Sequence, residues 1–549
     1  MTVIAAMQTF DYIIVGAGSA GCVLANRLSA SGVHRVLLLE AGGADHHFWL
    51  KAPIGYGMTF YNPTVNWMYR TEPDAALAGR SGYWPRGRVL GGSSSINGMV
   101  FVRGQPQDFD DWAACGNPGW AWADVLPYFK RLEDSDMAIG HADDWRGQGG
   151  PLHVSDVRPH VHPLCRDFLQ AGAELGLPAT DDINGPQWEG MTINQITTRK
   201  GLRESASTAY LRPALKRPNL RLITHALAER VVFEGQRASG VQFVVDGQRQ
   251  VAHARREVLA CGGSVNSPAL LQLSGVGDAE FLRSKGIAPV HHAPAVGRHL
   301  QDHLCHDHSY VARKPSLNQT YGTWSGKLWA GLRYVLTRRG PMALGINHAG
   351  GFVRSDADEA RPNFQLYFSP LTYSKPTPGK RQLLKPDAEP GFSISVQPCR
   401  PTSRGFIEIR DADPRTPPRI VTNALSTDYD VDQMRKAALF IRRFSQTPAM
   451  QALIVREIAP GPSCQDDDAL LQDARERAGT LFHPVSTCRM GPDPAQSVVN
   501  ARLQVHGLHG LRVVDASVFP MVTSGNTNAP TLMLAERASE WILEAAQGR

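Results

Sequence analysis

Residues 10–40, FDYIIVGAGSAGCVLANRLSASGVHRVLLLE, read as one complete strand, tight turn, helix and strand. A short apolar, partly β-branched run from Tyr12 to Val15 ends at Gly16-Ala17-Gly18-Ser19-Ala20-Gly21, and apolar residues then recur with helical spacing at Val23, Leu24 and Leu28. In a dinucleotide site the first glycine makes the turn, the second lets the main chain approach a pyrophosphate, and the third lets helix and strand pack closely. The phosphates then meet unpaired N–H groups at the helix N-terminus. Glu40 closes the second strand, where a carboxylate accepts hydrogen bonds from a ribose hydroxyl pair. A lone GxGxxG is weak, because glycine-rich turns are common; the strand before it, the helix after it and an acid about twenty residues on make it specific. The bland alternative is a glycine turn in an α/β unit that binds nothing.

At 549 residues the chain exceeds what one core usually supports, so two domains or one heavily elaborated domain are expected. Its 57 basic and 51 acidic residues are scattered, and no Lys/Arg run marks a nucleic-acid footprint. Eight cysteines without a CxxC pair match neither a disulfide framework nor a zinc site, and they suit a reducing compartment. Residues 1–9 are apolar but lack a basic n-region, so a cleaved signal peptide is not expected. No apolar run approaches the ~20 residues that a membrane-spanning helix requires. A cytoplasmic protein is the resulting expectation.

Beyond Glu40, Pro53, Gly55, Gly57 and Pro63 mark long ordered loops over the nucleotide site, running on to NWMYRTEP at 66–73. The stretch GRVLGGSSSINGMVFVRG, 87–104, packs small side chains with exposed backbone donors into one turn, which suits close contact with a flat or anionic ligand. Further on, 220–224, 228–233 and 240–245 read as a strand meander, and 257–260 as a return to a core strand. Residues 392–396 and 405–409 alternate apolar and polar side chains as half-buried antiparallel strands do. Pro370 to Pro390, rich in proline, lysine and glycine, reads as a mobile surface loop.

Taken together, 10–40 and 87–104 resemble the glucose–methanol–choline (GMC) family of flavin oxidoreductases, and the likeness recurs to the C-terminus. It continues through GSVNSPALLQLSGVG (263–277), VGRHLQDH (296–303), Arg400-Pro401 with Ser403-Arg404-Gly405, HPVSTCRMG (483–491) and LRVVDAS (511–517). The resemblance implies an α/β fold, α+β overall. A Rossmann-type FAD-binding domain would take about 1–160, 195–315 and 475–549. A substrate domain, built on an antiparallel sheet with helices, would take about 315–475 with part of 160–195. It also implies FAD contacts from Gly16, Ala17, Gly18, Ser19, Ala20 and Gly21, from Glu40, Ala41 and Trp67, and from Arg88, Val89, Gly92 and Ser93. Asn97, Gly98, Met99, Val100, Val231, Asp515, Ala516 and Asn526 complete that set. Ile96 stands where some relatives attach FAD covalently through histidine; isoleucine has no nucleophilic atom, so non-covalent FAD is expected.

Two catalytic residues follow from the resemblance: His483, which in the family lies over the flavin and deprotonates the alcohol, and Asn528, aligned with a second position held by histidine or asparagine. Ser486 stands where glycine is frequent in relatives. From pattern alone, 524–531 is also a helix start, with Leu532, Leu534, Ala535, Ala538, Trp541 and Ile542 as its apolar stripe. His303, His306 and His308 with Asp302 and Cys305 form the most metal-like cluster, but alternate spacing on an extended segment sends neighbours to opposite faces, and no metal is expected. Cys261 and Cys488 read as core residues rather than nucleophiles.

The implied activity is FAD-dependent oxidation of an alcohol, with a lean to a primary aliphatic or aromatic one. Hydride passes to flavin N5, His483 is the base, and oxygen, quinone or another acceptor takes the electrons. A lyase of the same fold and a non-catalytic nucleotide-binding protein are the alternatives. Separately, KLWAGLRYVLTRR at 327–339 carries an aromatic and apolar stripe with basic ends, the pattern of an interfacial helix, and suggests peripheral contact with the inner face of a membrane. Against this stands a helix whose stripe packs on the core.

Overall fold

The computed structural model describes residues 8–138, 145–374, 385–464 and 466–548. Two sheets organise them. The first runs in the order Leu220–Ile223, Val36–Leu39, Gln8–Val15, Gln248–Ala260, Arg237–Val245 and Leu227–Glu234, with Leu511–Val513 also pairing with Gln248–Ala260. Its central strands are parallel, and Val36–Leu39 is buried throughout, as expected of a parallel strand covered on both faces. The expected meander is corrected at both ends. Leu220–Ile223 pairs in parallel with Val36–Leu39 at the opposite edge. Gln248–Ala260 is one long strand whose first half closes the meander and whose second half joins the parallel core.

Helix Ser19–Ser29 packs against helix Asn528–Ala546, placing Val23, Leu24 and Leu28 in one core with Leu532, Leu534, Ala535, Ala538 and Ile542. Beneath it Glu536, fully buried, accepts from Arg27 at 2.6 Å and from the Tyr210 hydroxyl at 2.8 Å. An interior carboxylate is held only where such donors offset its desolvation.

The second sheet is antiparallel, in the order Ile454–Ala459, Leu304–Ala312, Gly391–Pro398, Phe364–Ser369, Ala349–Val353 and Gly190–Ile193. Leu304–Ala312 and Gly190–Ile193 are both strands of this layer. The alternation at 392–396 has a specific use: Phe392, Ile394 and Val396 pack under helices Leu164–Glu174 and Asp428–Ser445, while Ser393 and Ser395 face a cavity between the sheets. Within the expected loop at 370–390, Tyr373–Ser374 pairs with Lys385–Pro386, and 375–384 lie outside the described residues.

Candidate active site

A cavity of about 1350 Å³ lies between the sheets. Strands Gln8–Val15, Val36–Leu39, Gln248–Ala260 and Leu511–Val513 run in parallel and end on it, and Gly16, Glu40, Cys261 and Asp515 line it just past those ends. Ligands of open α/β sheets bind at this carboxyl edge. Of the residues expected at the cofactor, Ala17, Gly21, Val89 and Val231 do not face the cavity; the others do. Ala17 and Gly21 act on the backbone, Val89 packs with Leu50, Val65 and Ile96, and Val231 is buried, its N–H donating to Ser274 at 2.8 Å. At that strand the lining comes from Ala226, Leu227 and Ala228 instead.

The turn is close-packed for a reason. A Cβ at Gly21 would stand 1.9 Å from the Gly16 carbonyl oxygen, and one at Gly92 would stand 2.7 Å from Gly18 Cα. Helix Ser19–Ser29 starts at Gly18 without a side-chain cap, so its first N–H groups are open to an anion. Glu40 accepts from Ala17 N–H at 2.9 Å and Gly42 N–H at 2.7 Å, and burial pushes its carboxyl up to about 7. Nearby, the Arg88 guanidinium lies over the Trp67 ring at 5.0 Å. Bare helix N–H groups for a diphosphate, an acid for ribose and glycine clearances for close main-chain approach together fit a dinucleotide.

Deeper in, Asn97 accepts from Arg203 at 2.7 Å. Arg203 is buried without a carboxylate partner among the described residues, and burial pulls its guanidinium down to about 9. Asp515 accepts from Gly263 N–H at 2.8 Å, Ser267 Oγ at 2.5 Å and Ser517 N–H at 2.8 Å, which ties helix Gly263–Leu273 to the cavity floor. Ile96 lies in the apolar cluster with Val89 and reaches the cavity.

His483 is nearly buried. Its Nδ1 lies 3.0 Å from His303 Nδ1 and its Nε2 lies 3.1 Å from Asn526 Nδ2. Its main-chain N–H donates to Asp302 at 2.8 Å, and Asp302 also accepts from Thr480. Burial first, then His303 and Arg86, hold the His483 imidazole well below its ordinary value. Positive φ at Phe482 (68°) and Ser486 (73°) brackets the histidine, which explains why glycine suits the second position.

The structure places the two asparagines of this stretch apart. Asn528, on the first turn of its helix, accepts from Ser19 Oγ at 2.8 Å and so belongs to the phosphate turn; Asn526, two residues earlier, meets His483. A stretch that turns before entering a helix does not present residues two apart to the same neighbour. His303, read from sequence as a member of the metal-like cluster, was not among the residues expected at His483; its place in the LQDH stretch was the available signal. The cluster itself separates: His306 bonds Asp473 at 2.7 Å, His308 stands by Tyr310, and His303 faces His483. Cys261 and Cys488 are buried, with thiols pushed well up by burial, so they are not poised as nucleophiles.

The chain matches GMC oxidoreductase descriptions over residues 10–305 and 401–535. An oxygen-dependent choline dehydrogenase of Vibrio vulnificus is 41% identical over 543 residues, covering 98% of this chain and 94% of that protein. An alcohol dehydrogenase [acceptor] of Pseudomonas putida is 41% identical over 537 residues, covering 97% and 96%. Among solved structures, pyridoxine 4-oxidase from Mesorbium loti superposes with a TM-score of 0.87 at 31% identity, covering 97% of this chain and 99% of that one.

Proposed function

This chain belongs to the GMC oxidoreductase family, and we propose that it oxidises a primary aliphatic or aromatic alcohol to the aldehyde, with His483 as general base. FAD is its cofactor, and oxidation of a CH–OH donor with an electron acceptor comes with the family. Bound in the cavity, FAD supplies a hydride acceptor at N5; Ile96 offers it no covalent anchor.

The observation that carries the reading is the hydrogen-bond chain through His483. The Cys399 carbonyl can only accept, so His303 Nε2, 3.0 Å away, donates to it. Neutral His303, pulled down to about 4 by burial, then has a lone pair on Nδ1. His483 Nδ1 donates to that lone pair, which leaves His483 Nε2 unprotonated and aimed at Asn526. The Asn526 amide is oriented by Gln365, whose Nε2 reaches its Oδ1 at 3.4 Å. An alcohol oxygen that takes the place of the direct Asn526–His483 bond donates its proton to His483 Nε2 and accepts from Asn526 Nδ2. An alcohol hydroxyl is too weak an acid to release hydride from its carbon unless its proton is being removed, and a neutral imidazole in reach is suited to that task near neutral pH. Asn526 cannot titrate; it holds the oxygen in line and carries part of its negative charge.

The substrate class is supported by the walls near His483. Phe482 and Phe60 meet edge to face with ring centroids 5.5 Å apart, and Tyr61 and Tyr83 stack at 4.8 Å. This aromatic wall suits the apolar body of an organic alcohol. Peripheral contact with a membrane is part of the same proposal, through helix Trp324–Thr337. Anaerobic titration of the yellow enzyme with aliphatic and aryl alcohols, choline and a sugar tests the chemistry: a primary aliphatic or aryl alcohol is expected to bleach the flavin, and bleaching by none of them would overturn the proposal.

A further inference from the structure

Helix Trp324–Thr337 touches the rest of the protein through Ala330 and Tyr334, which pack with Ala52 and Met342. Trp324, Leu328, Trp329, Leu332, Val335 and Leu336 are each more than half exposed. At about 100° per residue these six fall within an arc of roughly 140° opposite the buried pair. Lys327 and Arg333 stand at the two borders of that arc, and Arg338 and Arg339 follow its end.

Resting on the membrane contact of the proposed function, we infer that this face docks on anionic lipid headgroups, with the apolar arc in the interface and the flanking cations on the phosphates. Among the described residues no carboxylate pairs with Lys327, Arg333, Arg338 or Arg339, and no Asp or Glu occurs between Asp307 and Asp356. Tryptophans beside an aliphatic stripe are the side chains that settle at the headgroup level. A second copy is a poorer occupant, because a two-fold contact through this arc brings the basic borders of both helices together. No helix among the described residues is long and apolar enough to cross a membrane, so the contact is peripheral. The helix leans on Ala52 and Ile54, and the chain continues from there into Tyr56, Phe60 and Tyr61, which line the cavity. The helix that carries the docking face thus packs, by its covered side, on the stretch that goes on to line the cavity.

The test is co-sedimentation of the FAD-loaded enzyme with vesicles of phosphatidylcholine alone or with phosphatidylglycerol added, at low and high salt. Binding is expected to the anionic vesicles at low salt and to weaken at high salt. Lys327→Gln with Arg333→Gln should weaken it about tenfold or more, since each cation near an anionic surface contributes severalfold; Trp329→Glu with Leu332→Glu should abolish it. Flavin reduction by a water-soluble alcohol should be unchanged in both variants. No sedimentation, equal sedimentation on neutral vesicles, or wild-type binding by the variants would overturn the inference. So would a self-association in the ultracentrifuge that the Glu variant removes. Vesicle binding without reduction by any alcohol would instead overturn only the proposed chemistry.

Discussion

The His303 and His483 rings meet nearly at right angles, with 3.0 Å between their Nδ1 atoms. Since His303 gives its Nε2 proton to the Cys399 carbonyl, this contact assigns the tautomer of His483 and turns its basic nitrogen toward Asn526. A positioned imidazole is worth about 10²–10⁴ in rate. His483→Ala should retain FAD and slow flavin reduction by that factor in a rapid-mixing measurement. Near-normal reduction would place the base elsewhere.

The two asparagines should separate in kind. Asn526→Ala removes the amide that we propose holds the reacting oxygen, so flavin reduction should slow by about 10²-fold. Asn528→Ala removes only the acceptor for Ser19 Oγ at the phosphate turn, so it should weaken FAD retention and leave reduction of the loaded enzyme little changed. Dialysis followed by stopped-flow reduction reads both. The opposite pattern would restore Asn528 to the catalytic position.

In the proposed reaction His303 acts through His483. His303→Ala should slow flavin reduction about 10–100-fold, the usual cost of losing the partner that orients a functional histidine. His303→Gln, with an amide able to accept from His483 and donate to the Cys399 carbonyl, should recover most of the rate.

In the wild type, the sign of the pH dependence follows from the direction of the His483 shift. A depressed imidazole stays neutral, hence competent as a base, at every pH above its lowered value. The alcohol-dependent rate of flavin reduction under kcat/KM conditions should therefore hold from about pH 8 down past 6.5, the ordinary histidine value, and fall only in more acid solution. A fall that begins above pH 7 would contradict this.

At the cofactor, Gly92→Ala should cost FAD binding, because the new Cβ at a positive φ of 54° would meet the Gly18 main chain at 2.7 Å. Flavin absorbance per protein, checked against circular dichroism for folding, measures it. In the wild type, acid precipitation should leave the yellow colour in solution, given Ile96 in place of a nucleophile; colour in the pellet would show a covalent link at another residue.

Much of the site could be read from local spacing. The strand, turn, helix and strand at 10–40 are dictated by backbone requirements: glycine where main chains touch, and continuous apolar runs where a parallel strand is covered on both faces. Those requirements act between near neighbours in the chain, so residue order carries them. Ser486 belongs here too, since its left-handed backbone explains a position where glycine is the easier residue.

Other features depended on which distant segments met. Leu220–Ile223 had the composition of a meander strand, but its partner was chosen by the exposed edge of Val36–Leu39. The stripe in Trp324–Thr337 signalled an amphipathic helix, yet periodicity cannot say which face is covered; packing on Ala330 and Tyr334 left the large apolar side chains outward. In SGNTNAPT either asparagine could have faced His483. The turn before the helix sends Asn526 to the histidine and Asn528 to Ser19, because a side chain's direction is set by the backbone's path through three dimensions and not by its place in a motif.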